Sequence, residues 1–160
     1  MSESTRINGT KGQSDDAAQL LTFFLDEQEY GVDILRVQEI RGWSQPMPIP
    51  GAPPYIKGVI NIRGDVVPIA DLRERIGMPT ADWTPMTAVV VLRVQYKGRE
   101  RVMGLVVDAM SDVTTVPSEA LKPPPVFEGG ADKLTKEIAT LPDKMIAILD
   151  IDSVFGEVAA

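Results

Sequence analysis

Proline constrains this chain more than any other residue. Five prolines, Pro46, Pro48, Pro50, Pro53 and Pro54, fall within residues 43–54. Pro117, Pro123, Pro124 and Pro125, with Gly129 and Gly130, break residues 114–136 in the same way. Each proline removes a backbone donor and biases its predecessor away from helical geometry. Neither stretch can be a helix interior or the middle of a sheet. What lies between them is short and reads mostly as strand.

Leu21, Phe23 and Leu25 alternate with Thr22 and Phe24, a strand apolar on nearly both faces. Asp26 to Glu29 reads as a polar turn, and Tyr30-Gly31-Val32 begins the return. Asp33 can cap a short helix in which Ile34, Val37 and Ile40 recur at helical spacing, with Gly42 at its exit. In Ile56 to Ile62, residues 56, 58, 60 and 62 point one way and 57, 59 and 61 the other. Arg63-Gly64-Asp65 turns the chain, Val66 to Ile69 returns, and Pro68 marks a strand edge or end. Asp71-Leu72-Arg73-Glu74 has capping-box spacing for a short helix closed by Gly77. Val89 to Tyr96 is the strongest strand, returning through Lys97 to Glu100 into Val102 to Val107. One helical turn can follow Ser118, and Met145 to Ile151 is a last strand. Three hairpins and a late strand predict a mainly β fold of small antiparallel barrels with short helices. The first and last strands need partners, so the ends of the chain are expected in one lobe.

With 160 residues, such a fold buries roughly 70% of the surface of its unfolded chain. No disulfide or metal staple is required. Residues 1–17 are polar apart from Ile7 and predict a disordered tail, and 156–160 a short C-terminal one.

Composition removes much chemistry. The chain has neither cysteine nor histidine. Ser-His-Asp and Cys-His nucleophiles, zinc fingers, haem ligation and iron–sulfur clusters are thereby excluded. The net charge of −7 argues against nucleic acid as a partner. No apolar stretch approaches the ~20 residues that span a bilayer, so no direct membrane insertion is expected and cytoplasmic localisation is. Phosphate-loop and dinucleotide motifs are missing. Asp150, Asp152, Gly156 and Glu157 have the wrong spacing for a calcium loop. No cofactor and no metal are expected. Asp65 with Asp71, or Asp108 with Asp112, could form the carboxylate pair of a hydrolase. Turns and helix caps account for these positions more simply.

The informative residues are charged ones beside apolar runs. Glu39 sits between Val37 and Ile40, and Arg63 ends an aliphatic strand just before a glycine turn. They fit a solvated helix face and an exposed turn, or a docking patch with an apolar centre and a polar rim. Composition alone does not separate the two.

The residues Ile34 to Arg41 (ILRVQEIR) and Ile56 to Gly64 (IKGVINIRG) resemble the two signature blocks of the CheW family of bacterial chemotaxis coupling proteins. The similarity continues through Val67-Pro68-Ile69-Ala70-Asp71-Leu72-Arg73, Gly104 to Asp108, Ser111-Asp112-Val113, and Leu121 to Pro125. It spans residues 18–155. Asp65 stands where the family commonly has an aliphatic residue, and Ala70 where it has a larger one.

This resemblance implies two small SH3-like five-stranded antiparallel barrels packed over a shared hydrophobic core. It implies a non-enzymatic scaffold, monomeric when isolated, that couples transmembrane chemoreceptors to a histidine autokinase. One surface, the groove between the barrels, would hold the helical-hairpin tip of the receptor. Others would bind the regulatory domain of the kinase and build an extended array. Val37, Gly58, Gly104 and Val113 match receptor-contact positions, and Glu39 and Arg63 match a charged pair needed for coupling. The two are expected to meet as an ion pair. Glycine within a strand admits a close neighbour, and for Gly58 and Gly104 that neighbour is expected to be the receptor tip. Coupling in another pathway, such as surface motility or second-messenger control, is the nearest competing reading, and a carboxylate-dependent hydrolase a remote one.

Overall fold

The computed structural model describes residues 17–125 and 134–156. Residues 1–16 of the tail expected over 1–17, and residues 157–160, lie outside them; the last residue of the expected tail, Ala17, instead opens the first strand. In chain order the elements are β1 (Ala17–Leu25), β2 (Gln28–Asp33), β3 (Val37–Gly42), β4 (Ile56–Ile62), β5 (Asp65–Asp71) and the short helix α1 (Leu72–Arg75). There follow β6 (Ala88–Tyr96), β7 (Arg99–Val107), β8 (Ala109–Pro117), β9 (Leu121–Lys122), β10 (Thr135–Thr140), β11 (Met145–Leu149) and α2 (Ile151–Val154). They form a five-stranded sheet, β3-β6-β7-β5-β4, and a six-stranded sheet, β8-β1-β2-β11-β10-β9.

The expected mainly β architecture of two small lobes is present, with two differences in detail. One sheet has six strands rather than five, the sixth being the two-residue β9. Each sheet also contains one parallel pairing, β5 with β7 and β2 with β11. The second places the late strand in the sheet that holds β1. Pro68 is tolerated within β5 because the β5–β7 register begins only at Ile69.

The helix expected over residues 34–41 is not formed. Only Ile34–Arg36 makes a 3-10 turn, capped by Asp33, whose carboxylate accepts from Leu35 N at 3.0 Å. Val37 to Gly42 is strand β3, paired with β6. The spacing of Ile34, Val37 and Ile40 satisfies a helical period, but Val37, Glu39 and Arg41 also alternate with the more exposed Gln38, Ile40 and Gly42. Pairing with the apolar β6 selects the strand. At the other end, the last strand stops at Leu149, and Asp150 caps α2.

Three apolar clusters show how short strands make a stable domain. Inside the five-stranded lobe, Ile62, Val67, Ile69, Val89, Val91 and Val106 pack together. Inside the six-stranded lobe, Leu20, Val116, Ala139, Ile146 and Ile148 do the same. The largest cluster joins the lobes: Leu21, Phe23, Leu25 and Val32 meet Val90, Leu92, Val94, Leu105 and Val107. β6 and β1 must therefore be apolar on both faces. Val89 and Val91 face one core while Val90, Leu92 and Val94 face another. Full burial of each such side chain contributes about 1.5–3 kcal/mol. The five-stranded sheet curls until its outer strands meet, since Glu39 of β3 reaches Arg63 at the β4–β5 turn.

Candidate functional site

Glu39 leaves β3 just after a register shift between Val37 and Glu39, and its side chain is largely covered. One carboxylate oxygen, Oε1, accepts from Arg63 Nη1 at 2.5 Å, and Oε2 accepts from Arg41 Nη1 at 3.3 Å. The expected ion pair is thus formed, across 24 residues of sequence. Arg63 is 72% exposed as a side chain against 19% for Glu39. The carboxylate is anchored and the guanidinium faces solvent. An exposed pair of this kind contributes only ~0–1 kcal/mol to folding.

Arg63 has an unusual seat. With Gly64 it makes the two-residue loop between Ile62 and Asp65, and both residues have positive φ, +52° and +89°. Such loops favour Asn-Gly, because side chains without local hydrogen bonding resist left-handed geometry. Asn61 compensates in part, its Oδ1 accepting from Gly64 N at 3.0 Å.

Gly58 and Gly104 belong to the interior. Gly58 has φ +144°, and a Cβ there would lie 2.2 Å from the carbonyl oxygen of Met47 and 2.6 Å from its carbonyl carbon. Met47 is bridged to Val59 by two backbone hydrogen bonds of 2.9 Å. The object approaching Gly58 is therefore the chain's own proline-rich loop. A Cβ on Gly104 would lie 2.5 Å from Ile69 Cδ1 and 3.0 Å from Val89 Cγ1. Both are members of the core inside the five-stranded lobe. The close neighbours expected from a partner are thus supplied from within.

Val37 is partly buried against the shared core, opposite Leu92. Val113 is exposed on β8, opposite Leu21 in the six-stranded sheet. Ile40, next to Glu39 on the outward face, is also exposed, as are Met47, Val66 and Met86 in the same lobe. Trp83 stacks on Trp43 with ring centroids 3.8 Å apart.

Three of the four carboxylates considered for hydrolysis have other partners. Asp71 caps α1, accepting from Arg73 N at 3.0 Å, and burial raises its pKa from the ordinary carboxylate value. Asp108 is held by the Arg73 guanidinium, which lowers its pKa. Asp112 Oδ1 accepts from Val113 N at 2.8 Å. Asp65 lies exposed at the start of β5. Among the described residues no group of three or more His, Cys, Asp and Glu is placed to hold a metal, and no helix is long and apolar enough to cross a membrane. Two residues of consequence escaped the sequence reading, Arg41 and Arg73. Arg41 could have been found as the cation two places beyond Glu39, on the same face of a strand.

The family description "CheW-like domain" matches residues 19–159. The chain belongs to the CheW-like family. Among its relatives, a chemotaxis protein CheW of Rhizobium meliloti (strain 1021) is 37% identical over 149 residues, 92% of this chain and 94% of the relative. A chemotaxis protein CheW of Klebsiella aerogenes is 39% identical over 139 residues, 86% of this chain and 81% of the relative. The crystal structure of a scaffolding protein CheW from Thermoanaerobacter tengcongensis superposes with a TM-score of 0.76 at 30% identity, covering 86% of this chain and 92% of that one. The Glu39–Arg63 pair and the two packed glycines thus lie within a CheW-like domain that spans nearly the whole chain.

Proposed function

We propose that this chain is a non-catalytic scaffold that couples transmembrane chemoreceptors to a chemotaxis histidine autokinase. It would be recruited to receptor–kinase arrays at the membrane and be monomeric when isolated. The observation that carries this reading is the family match over residues 19–159, with CheW relatives aligned over most of their own length. The surface chemistry supports it: a geometrically fixed charge pair beside exposed apolar residues suits orientation at an interface more than stability.

On this reading Val37, Glu39, Arg63 and Val113 take part in receptor binding directly. They come from both lobes, as a groove between the lobes requires. Gly58 and Gly104 act through packing, by keeping the β4 bulge and the barrel wall in shape. The regulatory domain of the kinase binds elsewhere on the chain. Titration calorimetry against that regulatory domain and against a receptor hairpin fragment tests the assignment. Wild type should bind both. Glu39→Ala and Arg63→Ala should keep the kinase and lose the receptor. A folded chain that binds neither fragment would refute the coupling function. Loss of kinase binding in the two variants would move the pair to the kinase side.

A further inference from the structure

The shared apolar core holds the lobes together, but apolar contact is non-directional. Directional polar contacts are needed as well to fix the angle between them, and α2, which follows β11, makes one set: Asp152 Oδ1 accepts from Arg36 Nη2 at 2.5 Å and from Gln95 N at 2.7 Å, and Val154 O accepts from Arg75 Nε at 2.8 Å. Arg73 stands at the junction. It lies in α1, directly after β5 of the five-stranded sheet, and is 9% exposed. Its Nε donates to Asp108 Oδ1 at 2.8 Å and its Nη2 to Asp108 Oδ2 at 2.6 Å, a two-pronged grip. Asp108 is the residue between β7 and β8, where the chain crosses from one sheet to the other. Nη2 also donates to Asp26 Oδ1, and Nη1 to Pro79 O at 3.0 Å. Asp26 lies in the β1–β2 turn of the six-stranded sheet, at φ +55°. Asp108 ties back to that turn by accepting from Asp26 N at 2.7 Å, and its own N donates to Phe24 O at 3.1 Å. The guanidinium thus uses four of its five donors, three of them on carboxylates from the crossover and the opposite lobe. Without its charge, two carboxylates would face each other across the junction.

We propose that Arg73 is a positioning residue that holds the angle between the two lobes, by clamping the Asp108 crossover to the Asp26 turn, and that receptor engagement depends on that angle. The second half rests on the coupling function proposed above; the first does not. A planar fork held on three sides resists rotation in a way that a flexible ammonium does not. Arg73→Lys should therefore fail to restore the geometry although it restores the charge.

The absence of native cysteine makes the test clean. Spin labels are placed at Glu100→Cys in the five-stranded lobe and Asp143→Cys in the six-stranded lobe, both exposed positions, and read by double electron–electron resonance. The unaltered clamp should give one narrow distance distribution. Arg73→Gln and Arg73→Lys should broaden or shift it with far-UV circular dichroism unchanged, and Asp108→Asn, which keeps the shape of the side chain, should do so if Arg73→Gln does not fold. An unchanged distribution in a folded Arg73→Gln or Asp108→Asn chain overturns the clamp. Receptor-hairpin affinity should fall in the broadened variants by about tenfold, within the ordinary range of coupling between sites. Broadened distances with unchanged receptor affinity overturn the dependence on angle. A labelled chain with the clamp intact that binds no receptor hairpin refutes the coupling function instead, leaving the distance result to decide the clamp.

Discussion

Gly104→Ala distinguishes a barrel-wall role from a contact role. The added Cβ would lie 2.5 Å from Ile69 Cδ1 and 3.0 Å from Val89 Cγ1, whereas carbon atoms rest about 3.5–4.0 Å apart. Ile69 is 1% exposed and Val89 2%, so neither can swing into solvent. Overpacking of this kind costs about 1–3 kcal/mol. The overlap with Ile69 is the worse of the two, which places the expected loss near ~2 kcal/mol and ~4–8 °C in Tm for a domain of this size. Ile69→Val deletes the offending Cδ1. Alone it should cost about 0.5–1.5 kcal/mol for the methyl group lost. Combined with Gly104→Ala it should recover much of the loss, because the new methyl group occupies the vacated space. Urea unfolding of the four chains gives the coupling energy directly. Receptor binding measured on the same chains should follow stability and return in the double variant. Additive losses, with coupling energy near zero, would refute the packing argument. A double variant that regains stability but not receptor binding would show that Gly104 touches the partner after all.

Gly58→Ala should cost more than Gly104→Ala and should not be rescued by trimming side chains, since the clash is with the Met47 backbone at φ +144°; hydrogen exchange should show Val59 N losing protection as its 2.9 Å bond to Met47 O breaks. Arg63→Asn should leave the fold as stable or slightly more stable, because a left-handed turn position is relieved by about 1 kcal/mol while an exposed pair worth at most about as much is lost; thermal unfolding reads the first effect, and calorimetry should show receptor binding weakened but still measurable. For Asp108, whose folded pKa is lowered mainly by Arg73, the stabilisation is present above the ordinary carboxylate value of about 3.9 and is lost as pH falls through the depressed folded value. Acid unfolding of Asp108→Asn should therefore be flatter than wild type below pH ~4, and an equally steep acid limb would contradict the assigned partner.

Legibility in the sequence followed the number of buried faces. β1, β6 and β7 line two cores at once, so they carry dense apolar runs and were readable. β3 was misread because six residues with half-covered faces satisfy two periods, and the choice is made by β6, more than forty positions away. β8 looked like a turn region: of Ala109–Pro117 only Val116 is buried, and Ser111, Asp112, Thr114 and Thr115 give no strand pattern. Its existence depends on β1 lying beside it. The Glu39–Arg63 contact was expected through the family resemblance, while Arg41 and the Arg73 clamp were not, since nothing local to Arg73 or Asp108 announces a partner 35 residues away.

The positions matched to receptor contact divide physically into two sets that a coupling assay alone would merge. Gly58 and Gly104 are sites where any side chain meets the protein itself, so their variants should lose stability and coupling together. Arg63 is the opposite case, an exposed cation in a turn that asparagine would fill with less strain. Keeping arginine there gives up turn stability for a charge held at the surface by Glu39, a trade expected of a residue retained for its partner rather than for the fold. If that is the basis of the division, high salt should weaken receptor binding in wild type far more than in Arg63→Asn, because the exposed guanidinium is the screened contributor. Equal salt dependence in the two chains would place the charge that matters elsewhere.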